Sequence, residues 1–236
     1  MCLELDKSQE TKYHINNIKI VDKALRTEII MKNLLNYQTT EYDCGPTSMI
    51  NGMRFLFERE EIPPDVVKYI TLYCLDSYNQ KGEFGKKGTS SMAMMFLSNW
   101  LNQFGKVKKF PVYTEFVSSE EVYLSQNSRI VSGLQQGGAV VVRLMYGGWH
   151  YALLTGVEET SVYLFDPYYR KRPFQLKGVS MIHGEPTKWN RLISFDVLNQ
   201  EKKNPYAFGP KETREAIILF NTKTRKTPAN TIEYFI

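Results

Sequence analysis

The spacing of apolar residues changes at Gly137-Gly138, and this change constrains the fold more than any other feature of the 236-residue chain. Before the glycine pair, apolar residues recur at helical intervals. After it, they form short runs rich in β-branched residues, with turn residues between them. Helices gathered in the first half of a chain and strands in the second half are typical of an α+β fold. The sequence therefore predicts an N-terminal helical half packed against a C-terminal antiparallel β-sheet.

Three helices are predicted before the glycine pair, and a further one by a capping signal. Pro46 suits a first helical turn, where its missing N–H leaves no hydrogen bond unmade. Thr89 or Ser90 caps the third helix, and Gly105 ends it. Ser118-Ser-Glu-Glu121 has the spacing of a capping box. The predicted helices lie at residues 46–57, 66–74 and 90–105, with the further one opening at 118.

Five strands are predicted after the glycine pair. Glu158-Glu-Thr separates the second strand from the third, and so short a connection indicates a β-hairpin. The predicted strands are Ala139–Met145, Trp149–Val157, Ser161–Phe165, Ile193–Val197 and Ala216–Phe220.

The predicted domain occupies residues 34–220. Residues 1–33 form an N-terminal extension with one weak strand signal at Ile18 and Ile20. Residues 221–236 are polar and form a C-terminal tail, which is expected to fray.

Charge and hydropathy exclude several classes of protein. The net charge of +5 is modest, and lysine and arginine are scattered without a long basic block, so nucleic-acid binding is not indicated. No apolar stretch reaches the roughly 18 residues that a membrane span requires. The N-terminus is polar and acidic, unlike a signal peptide. These features predict a soluble protein without a membrane span.

The number and spacing of the cysteines and histidines indicate neither a disulfide framework nor a metal site. The three cysteines, Cys2, Cys44 and Cys74, are an odd number without a Cys-x-x-Cys pair, which favours a reducing compartment and a cytoplasmic location. The histidines, His14, His150 and His183, do not stand at ligand spacing from one another or from the cysteines. No glycine-rich phosphate loop precedes a helix. We therefore expect neither a metal nor a cofactor.

Cys44 has the most informative local context of the three cysteines. It stands in Gln38-Thr-Thr-Glu-Tyr-Asp-Cys-Gly-Pro46, directly before an apolar helical run. The unpaired N–H groups of a first helical turn favour an anion, and thiolates are the reactive form of cysteine. Asp43 opposes this if its carboxylate faces the sulfur, but it can instead turn away and accept backbone N–H bonds. The alternative is that Cys44 is a small buried apolar residue, as many free cysteines are; Cys74 is interpreted in that way.

His150 and Asp166 are the candidate partners of the thiol. His150 opens a predicted strand after Gly147-Gly148, and Asp166 ends the following strand. In a hairpin, the start of one strand lies near the end of the next, so we expect the two side chains to be close. A carboxylate there holds the imidazole tautomer and stabilises its charged form. Alternatively, His150 is a half-buried structural residue and Asp166-Pro167 only begins a turn. His14 and His183 are expected to face solvent.

Gln38 completes the candidate site. Acyl transfer passes through an oxyanion, which requires hydrogen-bond donors aimed at it. The Gln38 amide and the Cys44 backbone N–H are the candidate donors. The alternative is an exposed loop glutamine.

These motifs resemble those of papain-fold cysteine peptidases, and more narrowly those of the bacteriocin-processing (double-glycine) peptidase family and its stand-alone relatives. The resemblance spans residues 34–197 and implies that Cys44 is the nucleophile and His150 the general acid and base. It also implies that Asp166 orients the histidine and that Gln38 contributes to the oxyanion hole. Relative to this family, residues 78–88 and 178–210 are additions. The motifs that carry the resemblance are Gln38, Asp43-Cys44-Gly45, Gly88-Thr89-Ser90, His150-Tyr151 and Asp166-Pro167.

The resulting expectation is a cysteine peptidase that hydrolyses a peptide or amide bond through a thioester acyl-enzyme on Cys44. The same three residues serve an acyltransferase, in which an amine takes the acyl group in place of water. A binding module that keeps the fold without turnover is the third alternative. The expected partner is a peptide or amide substrate, and the sequence does not indicate an oligomeric state.

Overall fold

The computed structural model of the protein describes residues 33–227, which belong to a single compact unit that begins at Asn33. The predicted extension, with its strand signal at Ile18 and Ile20, lies outside the described residues except for Asn33, and so do residues 228–236 of the predicted tail. The described part contains five α-helices and a seven-stranded sheet in which all pairs are antiparallel. The predicted α+β class is confirmed.

The helices and strands are numbered here in chain order. The α-helices are α1 (Cys44–Leu56), α2 (Pro64–Cys74), α3 (Ser91–Lys108), α4 (Arg129–Gln135) and α5 (Phe195–Leu198). The strands are β1 (Val112–Ser118), β2 (Ala139–Met145), β3 (Trp149–Glu158), β4 (Ser161–Phe165), β5 (Val179–Met181), β6 (Arg191–Ser194) and β7 (Glu215–Asn221). The sheet order is β1-β7-β2-β3-β4-β6-β5.

Three predicted elements differ from the structure. Helix α3 does not end at Gly105, as predicted, but continues to Lys108. The capping-box sequence forms only the short 3-10 helix Ser119–Glu121, because Ser118 is already paired with Glu215 at the end of β1. The next α-helix begins later, where the Ser128 hydroxyl accepts a hydrogen bond from the Val131 N–H at 3.3 Å. The predicted strand 193–197 ends at Ser194, and Phe195 opens α5.

Apolar residues cover both faces of the sheet. Helices α1, α2 and α3 pack on one face, with Met49 and Leu97 fully buried. Helix α4 and the chain after α5 pack on the other, with Ile130 and Phe208 fully buried. Because β2, β3 and β7 are enclosed on both sides, they are nearly continuous apolar runs in the sequence.

The segment 178–210, which was predicted to be an addition, is part of this core. It contains β5, β6 and α5. After α5 the chain returns to the end of β2, where the Tyr206 N–H donates to the Met145 carbonyl at 2.7 Å. Tyr206 is itself fully buried. This segment therefore brings side chains to the end of the sheet at which strand β2 ends and strand β3 begins.

A close contact at the start of α1 predicts a steric requirement for Gly45. A Cβ atom on Gly45 would lie 2.2 Å from Oγ1 and 2.8 Å from Cβ of Thr89. We expect Gly45→Ala to lower the free energy of unfolding, measured by urea denaturation, by about 1–3 kcal/mol, because one of the two segments must shift. Gly148→Ala is the control, since nothing lies within 4 Å of that added methyl group. An equal loss in both variants would contradict the steric explanation.

Candidate active site

Cys44 is the first residue of α1, and its side chain is 7% exposed. The helix runs for 13 residues, so the thiol lies at the end where first-turn N–H groups favour an anion. Pro46 occupies the same turn and removes one N–H that would otherwise need a partner. The thiol is therefore placed where the sequence predicted it, at a helix N-terminus.

The Asp43 carboxylate is held by the preceding loop. Its Oδ2 accepts from the N–H and hydroxyl of Thr39 at 3.1 and 3.0 Å, and its Oδ1 accepts from the N–H and hydroxyl of Thr40 at 2.9 Å each. Partial burial raises the pKa of this carboxyl, but the four hydrogen bonds outweigh burial and lower it. Of the two orientations open to Asp43, the structure has the one that accepts backbone N–H bonds. Asp43 thereby holds the loop that carries Gln38.

His150 is the second residue of β3, and both candidate partners act on its ring. Nε2 lies 2.8 Å from Asp166 Oδ1, and the Cys44 thiol acts on the pKa of the imidazole. Because Nε2 is engaged by the carboxylate, Nδ1 is the ring nitrogen left for the thiol. The β3–β4 hairpin that the sequence predicted brings these residues together.

The surroundings of His150 favour its protonated form. Burial disfavours the imidazolium and lowers the pKa, but the hydrogen bonds and charges of Asp166 and Cys44 outweigh burial and raise the pKa from 6.5 to about 10. A protonated imidazole beside a thiol stabilises the thiolate. The raised pKa therefore keeps the His150 ring charged at neutral pH.

Asp166 is completely buried, and hydrogen bonds occupy both of its oxygens. Oδ1 accepts from His150 and from the Tyr168 N–H at 2.8 Å, while Oδ2 accepts from the Tyr206 hydroxyl at 2.6 Å. Burial raises the pKa of this carboxyl, but His150 first, and then Tyr206 and Tyr168, outweigh burial and lower it. Asn190 holds the backbone of Asp166 through two hydrogen bonds, at 2.8 and 2.9 Å.

Gln38 is joined to the same site through its backbone. Its N–H donates to the Pro167 carbonyl at 2.9 Å, which places the Gln38 loop beside the residue that follows Asp166. The side-chain Nε2 donates to the Thr40 carbonyl at 2.8 Å, so the amide is turned towards its own loop. The second hydrogen of that amide remains for another acceptor.

The other cysteines and histidines are placed differently. Cys74 ends α2 in the core, fully buried, and burial raises its pKa well above the ordinary value. His183 is exposed and lies between β5 and β6. Cys2 and His14 lie outside the described residues. Of the two described cysteines, Cys44 is the one that acts on the pKa of His150.

Exposed aromatic residues adjoin two of the candidate site residues in the sequence. Trp149, next to His150, is 43% exposed, and the Arg143 guanidinium lies 4.5 Å from its ring centroid. Tyr37, next to Gln38, packs edge-on against Tyr169 with ring centroids 5.1 Å apart. Such rings present apolar surface to anything that approaches the thiol.

Two groups of this site, Tyr206 and Asn190, have no signal in the sequence. Neither stands in a motif, and both lie far from Asp166 along the chain, 40 and 24 residues away. Their role becomes visible only once β6 and the chain after α5 are folded against β4 and β2.

Comparison of the chain with models of known protein families and with the sequences of curated proteins gave no match. Within residues 33–227, no helix is long and apolar enough to cross a membrane. The same residues contain no group of three or more His, Cys, Asp or Glu side chains that could hold a metal ion.

The raised pKa of His150 predicts how its contribution to stability depends on pH. The folded-state pKa, about 10, lies above the ordinary 6.5, so this contribution is fully present below pH 6.5 and is lost as the pH rises towards 10. We expect the Cys44→Ala protein to have a larger free energy of unfolding than the Cys44→Ala/His150→Gln protein. This difference should be larger at pH 6 than at pH 9.5. Urea denaturation at both pH values measures this. A difference that stays constant or grows with pH would contradict it.

Proposed function

We propose that the protein is a cysteine peptidase of papain-like fold that hydrolyses a peptide or amide bond through a thioester acyl-enzyme on Cys44. One observation supports this most strongly. A thiol at a helix N-terminus acts on the pKa of an imidazole whose Nε2 is 2.8 Å from a buried carboxylate. Thiol hydrolases use this arrangement, in which a nucleophile lies beside a base and a third group orients the base.

In the proposed reaction, the Cys44 thiolate attacks the carbonyl carbon of the scissile bond and forms a C–S bond. The tetrahedral intermediate collapses as the His150 imidazolium gives its proton to the leaving amine, which breaks the C–N bond and leaves a thioester. Neutral His150 then takes a proton from water, and the resulting hydroxide attacks the thioester. The C–S bond then breaks, the carboxylic acid leaves, and the thiolate–imidazolium pair is restored.

Asp166 and Gln38 have supporting roles in this mechanism. Asp166 accepts a hydrogen bond from Nε2, so the negative carboxylate stabilises the imidazolium that exists at the start and end of each cycle. The Cys44 backbone N–H and the second hydrogen of the Gln38 amide are the proposed donors to the oxyanion. Each such donor typically contributes about 2.7–4 kcal/mol to lowering the barrier.

The architecture supports a papain-like fold. The nucleophile begins a helix packed against an antiparallel sheet, and two adjacent strands carry the base and the carboxylate. The motif residues that resemble the bacteriocin-processing peptidases also have structural roles here. Gly45 leaves room for Thr89, and the Tyr151 hydroxyl donates to buried Glu215.

The two alternatives use the same residues. An acyltransferase would differ only in the second nucleophile, an amine in place of water. A binding module would keep the fold without turnover. Replacing a buried ion pair by apolar residues is often neutral or stabilising, so a fold without turnover would not require His150 and Asp166, which favours an enzyme.

Alkylation and turnover test the proposal in two stages. Iodoacetamide at pH about 6, well below the pKa of a free thiol near 8.5, should label Cys44 and spare Cys74, as read by peptide mass mapping of the native protein. Equal labelling of both would refute the activated thiol. A peptide library, with and without an added amine, then separates the alternatives. Free acids indicate a peptidase, amine adducts indicate a transferase, and the absence of both with a reactive Cys44 indicates a binding module.

A further inference from the structure

The candidate triad continues beyond Asp166 into a buried tyrosine and a buried arginine. The Tyr206 hydroxyl donates to Asp166 Oδ2 at 2.6 Å, and Arg191 Nε donates to the same hydroxyl at 3.3 Å. Tyr206 is fully buried, and Arg191 is 2% exposed. Because the tyrosine oxygen accepts from the arginine, its own proton is directed to the carboxylate.

The position of the Tyr206 hydroxyl is well determined. The Tyr206 N–H donates to the Met145 carbonyl at 2.7 Å, and the Met145 N–H donates to the Ala207 carbonyl at 2.8 Å. The Tyr206 ring packs against Tyr146 and Phe174, with centroids 5.5 and 5.3 Å apart. Backbone and ring are thus both held, so the hydroxyl has little freedom to leave the carboxylate.

Arg191 is joined to Asp166 by a second route. Its Nη1 donates to the Asn190 carbonyl at 2.8 Å, and the Asn190 side chain makes both hydrogen bonds to the Asp166 backbone. A buried carboxylate is costly unless it is paired and hydrogen-bonded. The charges along this row alternate in sign: His150 is positive, Asp166 is negative and Arg191 is positive.

We propose that Tyr206 and Arg191 are positioning residues of this active site, which set the rotation of the Asp166 carboxylate so that Oδ1 remains directed at His150. This inference rests on the proposed function. Without the Tyr206 hydroxyl, Oδ2 would be buried without a donor, and the carboxylate would turn to recover one. That rotation would move Oδ1 away from Nε2 and weaken the support of the imidazolium.

Titration of His150 tests this role without any substrate. The groups that act on the histidine are Asp166 and Cys44, and those that act on Asp166 are His150, Tyr206 and the Tyr168 N–H. Tyr206→Phe keeps the ring and removes only the hydroxyl. We expect the NMR titration midpoint of the His150 ring to fall by about one pH unit, because a hydrogen bond to a charged group has an effect of that order. The rate of Cys44 alkylation at pH 6 should fall with it.

Tyr163→Phe is the matched control. It removes a tyrosine hydroxyl that also donates to a carboxylate, that of Glu158 at 2.6 Å, but at the exposed far end of the β3–β4 hairpin. This variant should leave both the titration and the alkylation unchanged. The positioning role alone would be overturned if Tyr206→Phe left the titration midpoint of His150 unchanged or raised it, while Cys44 of the wild-type protein was selectively alkylated. If Cys44 of the wild-type protein were not selectively alkylated, the proposed function itself would be refuted.

Discussion

Replacing His150 with alanine should lower peptide hydrolysis by about 10²–10⁴-fold, the range that a positioned general acid and base contributes. Alkylation of Cys44 at pH 6 should fall with it. The physical reason is the contact between the thiol and a ring whose pKa is raised to about 10. Without the imidazolium, the thiol proton has no acceptor in the site, and the leaving amine has no donor. Single-turnover rates and the iodoacetamide rate constant measure the two effects separately.

His183→Ala is the matched control for this prediction. It removes the same kind of side chain, but from an exposed position between β5 and β6. We expect alkylation and hydrolysis to remain at the wild-type level. If His150→Ala and His183→Ala had equal effects, or if His150→Ala left alkylation at pH 6 unchanged, the thiol would not be activated by the histidine.

The His150–Asp166 contact was predictable because it depends on a local hairpin. The register pairs Leu153 with Phe165, and continuing it places Asp166 opposite Ala152. Because side chains alternate along a strand, Asp166 and His150 then project from the same face of the sheet. A short turn and two apolar runs are enough to fix that arrangement. The same holds for Cys44, whose position follows from a helix start signal.

The groups behind Asp166 were not predictable, because they reach the site through long-range pairing. Arg191 is placed by β6 against β4, and Tyr206 by a connection back to Met145. Neither contact has a local signal such as periodicity, a cap or a turn. Strand β1 was missed for a similar reason. Its burial alternates only in part, and pairing with β7 decides its conformation.

Local signals also failed where tertiary pairing opposed them. Ser118-Ser-Glu-Glu121 has the right residues for a capped helix, but Ser118 completes the β1–β7 ladder, and Ser119 takes a left-handed conformation with φ of 56°. Ile193 to Val197 is apolar enough for a strand, yet the chain leaves the sheet at Ser194. Helix and strand propensities are weak compared with such pairing.

Replacing Asp166 is expected to have an effect as large as replacing His150. Asp166→Ala removes the acceptor for Nε2 and leaves the Tyr206 hydroxyl and the Tyr168 N–H without their partner. The imidazole is then free to rotate and is less stable when charged. We expect hydrolysis to fall by about 10²–10⁴-fold, because an orienting carboxylate has an effect of this order in related triads. The free energy of unfolding should fall as well, by about 1–3 kcal/mol for each buried donor left unsatisfied.

Asp166→Asn separates the charge of this group from its geometry. The Tyr168 N–H donates to Oδ1, so the asparagine should place its oxygen there and still accept from Nε2, while its NH2 group meets Tyr206. The loss of hydrolysis should therefore be smaller than in Asp166→Ala, with the titration midpoint of His150 lowered. If Tyr206 acts by directing a carboxylate, adding Tyr206→Phe to Asp166→Asn should have little further effect on that midpoint. Additive effects of the two changes would mean that Tyr206 acts on His150 by another route, and an unchanged midpoint in Asp166→Asn would mean that the carboxylate charge does not support the imidazolium.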